Sequence, residues 1–129
     1  MRTDPWDVLK AVLVCVLVWA CMPGQAHAGE ARRVYMDACA SCHGADGAGA
    51  AQSQVALPLA VPDFTDCSFA SREPDGDWWA VGHGGGPARG FSEVMPAFRT
   101  GITDAEVQAA VNHIRTFCDD SSWPRGELN

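Results

Sequence analysis

The feature that most constrains this chain is the stretch Cys39-Ala-Ser-Cys42-His43, in which a histidine directly follows the second of two cysteines. Near the C-terminal end of a helix, side chains three residues apart lie on one face. Both thiols can therefore attach along one edge of a common partner, with the histidine beside that edge. We expect the fold to be built around whatever these three side chains hold.

Three chemistries explain the motif incompletely. A structural zinc site needs four ligands, commonly two cysteine pairs, but Cys67 and Cys118 are isolated in the sequence. A redox-active dithiol places its first cysteine at a helix N-terminus, where the helix dipole lowers the thiol pKa. Here the pair closes a predicted helix, so the dipole has the opposite sign. A plain disulfide between Cys39 and Cys42 leaves His43 without a role.

Covalent haem attachment uses all three side chains at once. In that chemistry both thiols add to the vinyl groups of the porphyrin, and the next histidine binds the iron. We therefore predict one haem c, with thioethers at Cys39 and Cys42 and with His43 as the proximal iron ligand.

Met95, in the stretch Ser-Glu-Val-Met-Pro-Ala-Phe, is the predicted distal ligand. A thioether is a soft ligand that favours reduced iron, and a His/Met pair raises the reduction potential. Pro96 restricts Met95 to an extended backbone. His83, in a glycine-rich loop, is the competing ligand, whereas Met36 is expected to fill core space on the first helix.

Hydrophobic periodicity and capping signals predict helices and no convincing strand. The predicted helices cover Glu30–Cys42, a short segment from Asp75 past Val81, and Asp104–Cys118. Thr103 and Glu106 form a capping box at the start of the last helix.

These residues resemble the class I c-type cytochromes, specifically the small bacterial periplasmic members. The resemblance rests on Tyr35, on Cys39–Gly44, on Met95–Phe98 and on the last helix. It implies an all-α fold in which the first and last helices cross and short helices and loops wrap around one haem. It also implies the proximal ligand at His43 and the distal ligand at Met95.

The chain departs from that family at two points. Family members often have a Gly-Pro soon after the motif, whose proline carbonyl orients the proximal histidine, and here Pro58 and Pro62 are the available replacements. The last helix has His113 where the family usually has an aromatic residue packed against the first helix.

Residues 1–28 have the layout of a secretory signal peptide. Arg2 and Lys10 precede an apolar run over Ala11–Met22, which is followed by a cleavage motif that ends at Ala28. The run is shorter than the roughly 20 apolar residues of a membrane-spanning helix. We therefore predict cleavage after Ala28, a cytochrome domain over 29–129 and a periplasmic location. Lipid attachment at Cys21 is the alternative.

Residues 29–129 carry seven arginines, no lysine and fourteen carboxylates, a formal charge of −7. That charge disfavours a nucleic-acid partner. A chain this short is marginally stable without added crosslinks or a large ligand. Cys67 and Cys118 are left over in an oxidising compartment, so we predict a disulfide between them. Two buried free thiols are the alternative.

Six aromatic residues are expected to form the walls of the haem crevice, namely Phe64, Phe69, Trp78, Trp79, Phe91 and Phe98. Trp79 and Arg89 flank the loop that leads to Met95, so we predict that they contact the haem, with the propionates as their partners. The glycines after His83 are expected to leave room for the haem plane.

With both axial positions filled, iron has no site for a substrate, which favours electron transfer between periplasmic redox proteins over catalysis. Two alternatives stay open. One is a haem subunit of a larger complex, or an enzyme with an open or labile distal site that binds peroxide or a gas. The other is a thiol oxidoreductase without haem.

Overall fold

The computed structural model describes residues 4–20, 23–55 and 57–118. These ranges contain helices and no strand. The α-helices are α1 (Pro5–Ala20), α2 (Pro23–Ala38), α3 (Ala40–His43), α4 (Gln52–Val55), α5 (Cys67–Ala70), α6 (Asp75–Gly84) and α7 (Asp104–Ile114). Three 3₁₀ turns cover Gly86–Arg89, Phe98–Thr100 and Arg115–Phe117. The predicted all-α fold is confirmed.

Helix α7 begins at the predicted capping box. The backbone N–H of Glu106 donates to the Thr103 hydroxyl, and the Glu106 carboxylate accepts from the backbone N–H of Thr103 at 2.8 Å. Val107, Val111 and Ile114 then form a buried stripe at helical spacing. The α-helical geometry ends at Ile114, and a 3₁₀ turn replaces the last turn of the predicted helix.

Helices α2 and α7 pack against each other through a cluster of three rings. The ring of Tyr35, which is fully buried, lies 5.0 Å from that of His113 and 5.3 Å from that of Phe117. His113 thus stands where the family usually has an aromatic residue, and its ring still packs against Tyr35 of α2. The core sits at this crossing.

The predicted first helix is broken at Cys39. Cys39 lies in a turn after α2, and the N–H groups of Cys42 and His43 donate to its carbonyl at 3.2 and 3.0 Å. Helix α3 ends at Gly44, which has a φ of +77°. That backbone conformation strains any residue with a side chain, so the motif favours glycine after His43.

The end of α7 is fastened to the middle of the chain by two contacts. A disulfide joins Cys67 to Cys118, with their Cα atoms 5.6 Å apart. The Arg115 guanidinium donates to the Asp75 carboxylate at 2.6 Å and to the Glu73 carbonyl at 2.8 Å. The segment that enters α6 is therefore held against the C-terminal end of α7.

Helix α1 exposes its apolar side chains as far as they are described, namely Trp6, Val8, Leu9, Val12, Leu13, Val14 and Val16. None of the helices in the described ranges has the length and apolar character needed to span a bilayer. Cys21, the alternative lipidation residue, lies outside the described residues. Cleavage after Ala28 stays a prediction.

Candidate functional site

A mostly apolar cavity of about 880 Å³ lies beside α3. The two predicted thioether cysteines and the two predicted iron ligands, Cys39, Cys42, His43 and Met95, all line it. Its volume is at the upper end of the roughly 300–1,000 Å³ typical of ligand cavities. The aromatic and cationic members of the lining include Phe64, Phe69, Trp78, Arg89, Phe91 and Phe98.

His43 is buried, and its ring stacks on that of Phe64 with centroids 4.5 Å apart and planes 14° apart. Burial lowers the pKa of His43 to about 4, and the nearby carbonyl of Pro62 acts in the opposite direction. The imidazole is therefore neutral at neutral pH, which is the form that binds metals. Its Nδ1 is buried without a hydrogen-bond partner, so the Pro62 carbonyl acts on it without forming a bond of normal geometry.

Of the two candidate prolines, Pro62 is the one whose carbonyl acts on His43. Pro58 lines the same cavity but does not contribute to the pKa shift of His43. The sequence left this choice open because the loop between the motif and Phe64 has no periodic pattern that fixes its path.

Cys39 and Cys42 are free thiols in the structure. Burial raises the pKa of Cys39 to about 11, and the neighbouring Cys42 adds to the shift. A thiol with a raised pKa holds little thiolate at neutral pH and is a poor nucleophile for disulfide exchange. The Cys39 thiol is therefore not activated as a nucleophile in this structure.

Tyr35 links the core to the haem-attachment motif. Its hydroxyl donates to the Gly44 carbonyl at 2.7 Å and lies 3.4 Å from the His43 carbonyl. Burial raises the pKa of this phenol, so it stays a neutral donor. Because Tyr35 also packs on His113 and Phe117 of the α7 end, the backbone that carries His43 is fixed to the α2–α7 crossing.

Met95 lies in an irregular segment between two 3₁₀ turns and is held by its backbone. Its carbonyl accepts from the N–H of Gly86 at 3.0 Å, and its N–H donates to the Ser92 carbonyl at 3.2 Å. Gly85 has a φ of +82°, and a Cβ there would lie 3.0 Å from the Met95 carbonyl oxygen. The glycines were expected to leave room for the haem plane; in the structure Gly85 leaves room for the backbone of Met95, and Gly86 leaves room for the Ser92 carbonyl.

His83, the competing ligand, is engaged elsewhere. Its ring stacks on that of Trp79 with centroids 4.4 Å apart, and its Nε2 lies 3.4 Å from the Asp104 carboxylate. Neither His83 nor Trp79 is among the described residues that line the cavity. The structure thus brings Met95, and not His83, to the same cavity as His43.

Trp79 was predicted to contact the haem, but Trp78 is the tryptophan that lines the cavity. The Trp79 indole N–H donates to the Asp104 carbonyl at 3.4 Å, whereas Trp78 lines the cavity with its Nε1 buried and without a partner. No sequence signal separates two adjacent tryptophans, because the rotation of α6 decides which one faces inward. Arg89 lines the cavity as expected and forms an ion pair with Asp77.

A family model described as "Cytochrome C oxidase, cbb3-type, subunit III" matches residues 26–114 of the 129-residue chain. The matched segment contains the Cys39–His43 motif and Met95, and it ends with the last residue of α7. Neither the curated proteins nor the solved structures include a match to this chain.

Proposed function

We propose, from the premise that the chain belongs to the cbb3-type subunit III family of c-type cytochrome domains, that it carries single electrons between redox partners in the periplasm. Members of this family bind haem c covalently and function in electron transfer. The observation that carries the proposal is that Cys39, Cys42, His43 and Met95 line one apolar cavity.

The cavity residues fit a covalent haem. Cys39 and Cys42 are free to form thioethers, and the buried, neutral imidazole of His43 is suited to iron. Two buried polar atoms of cavity-lining residues, Nδ1 of His43 and Nε1 of Trp78, have no hydrogen-bond partner among the described residues. When bound, haem supplies a one-electron Fe(III)/Fe(II) couple.

Met95 is the proposed distal ligand. Support comes from its position in the cavity lining and from the hydrogen bonds that fix its backbone to Gly86 and Ser92. The competing His83 is stacked on Trp79 outside the described lining. Bound to haem iron, the Met95 thioether would favour the ferrous state and would occupy the position that a substrate would otherwise take.

Trp78 and Arg89 are the proposed partners of the haem propionates. An indole N–H that is buried without an acceptor loses a hydrogen bond, and a carboxylate that enters the cavity would restore it. Arg89 lines the same cavity and already binds a carboxylate, that of Asp77. Trp79 leaves the proposed site because its indole donates to Asp104.

A mainly apolar partner surface is proposed for the electron donor or acceptor. Phe91, Leu59 and Val94 line the cavity and are 56, 55 and 40% exposed. The domain has no lysine with which to dock on an acidic partner. We expect haem reduction by the physiological donor to depend weakly on ionic strength, because apolar contacts are not screened by salt. A steep fall with salt would instead indicate docking on a basic surface.

The family description gives a second candidate, a haem-bearing subunit of an oxidase complex. The two functions differ in where the cytochrome is found after gentle extraction. A free carrier is recovered from the periplasmic fraction as a single protein, whereas a subunit is recovered with the membrane complex.

The experiment that tests the proposed function is denaturing electrophoresis with a haem stain on protein made with and without a cytochrome c maturation system. We expect a stained band only when the maturation system is present. Carbon monoxide added to the native protein at neutral pH should not change its visible spectrum. Protein that binds carbon monoxide readily would instead support an enzyme with an open distal site.

A further inference from the structure

We propose that Phe64 positions the imidazole of His43, and that the Cys67–Cys118 disulfide serves this role by holding Phe64 in place. The inference rests on the proposed function of His43 as the proximal iron ligand. It concerns the orientation of the ring and not the bond to iron.

The stack between Phe64 and His43 is close and nearly parallel. The two rings lie 4.5 Å apart at 14°, and Phe64 is 4% exposed. A flat ring against one face of the imidazole hinders its rotation about χ2. Metal-binding histidines are usually oriented by a hydrogen bond from the second ring nitrogen. Nδ1 of His43 has no partner of normal hydrogen-bond geometry among the described residues, although the Pro62 carbonyl acts on the imidazole, so the stack is the close contact that restrains the ring plane.

Phe64 is itself held from several sides. Its backbone N–H donates to the Gly47 carbonyl at 2.7 Å, which ties it to the loop that follows the haem-attachment motif. The edge of its ring meets that of Trp78 at a centroid distance of 5.3 Å. On the third side, the Cys118 sulfur lies 3.3 Å from the Phe64 carbonyl oxygen.

The disulfide turns that last contact into a covalent restraint. Cys67 follows Phe64 by three residues, and its bond to Cys118 fastens the 64–67 segment to the end of α7. The sulfur of Cys118 is also 3.7 Å from the Thr65 carbonyl, so the segment is closely packed along its backbone. Opening the disulfide would remove the covalent restraint on this segment and would leave Phe64 held by noncovalent contacts, namely those with Gly47, Trp78 and His43 and its packing with Tyr35 and Ile114.

The test compares two phenylalanines of the same cavity in the haem-loaded protein. Phe64→Leu removes the ring that stacks on His43. Phe69→Leu is the control, because it removes a ring that packs on Trp78 and does not stack on His43. We expect Phe64→Leu to broaden the low-field EPR signal of the ferric protein and to change the spread of its haem-methyl NMR shifts. Both observables report the orientation of the axial ligands. Phe69→Leu should leave both unchanged.

The disulfide is tested by a double-mutant cycle. Replacing Cys67 and Cys118 by serine should broaden the EPR signal in the wild-type background and add nothing in the Phe64→Leu background. A disulfide effect that persists in full without Phe64 would overturn the tether. Equal spectra for Phe64→Leu and Phe69→Leu would overturn the positioning role.

Failure of the proposed function is distinguishable from these outcomes. If wild-type protein lacks covalent haem, or if its ferric EPR spectrum lacks the low-spin signal of an iron with two axial ligands, the role of His43 is wrong. The inference about Phe64 then fails together with that role. If wild-type haem is normal and only the variant spectra coincide, the fault lies with the inference alone.

Discussion

The two sides of the haem cavity are built differently. The proximal side, defined as residues 39–44 with Tyr35 and Phe64, contains helix α3 and three buried side chains, those of Tyr35, His43 and Phe64, and it is hydrogen-bonded to and packed against the α2–α7 crossing. The distal side, defined as residues 85–100, has two short 3₁₀ turns and is held mainly by backbone hydrogen bonds around Met95. Phe91 and Val94 on this side are exposed.

This difference predicts that the proximal side determines stability and that the distal side determines the properties of the iron. Side chains on the proximal side belong to the core, so changes there should affect retention of haem and the free energy of unfolding. Side chains on the distal side lie in a segment with few buried apolar contacts, so changes there should affect ligand access and reduction potential. The predictions below test this division, beginning with the largest expected effect.

His43→Ala should nearly abolish haem-containing protein. The change removes the proposed proximal ligand and also leaves a cavity beneath Phe64, which destabilises a buried site. The yield of haem-stained protein per total protein measures the effect. His83→Ala is the matched control, because His83 stacks on Trp79 outside the described lining, and it should keep a normal yield. Equal yields for the two variants would contradict the division.

Met95→Ala should retain covalent haem and open the distal position. Without the soft thioether the reduction potential should fall, and cyanide or carbon monoxide should bind at neutral pH. A redox titration followed by visible spectroscopy measures the reduction potential, and the visible spectrum with added cyanide or carbon monoxide measures ligand binding. If His83→Ala instead opened the iron while Met95→Ala left the spectrum intact, the distal ligand would be His83 and the carrier would be a bis-histidine one.

Replacing Cys67 and Cys118 by serine should lower the free energy of unfolding by about 4 kcal/mol in the chain-entropy model, because the bond closes a loop with a sequence separation of 51 residues. Chemical denaturation of the haem protein measures the effect, and the visible spectrum should keep its band positions. Intact-mass measurement before reduction should show two hydrogens fewer than the dithiol. Alkylation of both cysteines without reductant would show that the bond is absent.

Tyr35→Phe should destabilise the protein by about 1–2 kcal/mol, because the Gly44 carbonyl loses its 2.7 Å donor in a part-buried site. Ser92→Ala is the control on the distal side, where the hydroxyl accepts from Val94 at 3.2 Å in an exposed bond. That change should cost about 0.5 kcal/mol or less. Equal costs in thermal unfolding would remove the contrast between the two sides.

The sequence predicted the local features of this fold well. The capping box at Thr103 and Glu106 and the stripe from Val107 to Ile114 are local signals, and the structure has both. The start of α6 at Asp75 follows from Pro74, which sits at the N-cap. These features depend on residues a few positions apart, which a single sequence displays directly.

Features that depend on tertiary packing were not predictable. The stack of Phe64 on His43 joins a loop to a helix, and nothing in the spacing of the two residues indicates it. The inward position of Trp78 rather than Trp79 follows from how α6 packs on α7. The approach of Gly85 to Met95 likewise pairs two backbones that are ten residues apart.

The measurement that tests the central claim most directly is the visible absorption spectrum of the reduced protein, taken before and after extraction with acid acetone. We predict sharp haem bands that stay with the protein, because two thioethers at Cys39 and Cys42 hold the group covalently. A colourless protein made with the maturation system, or haem that leaves with the acetone, would contradict the claim.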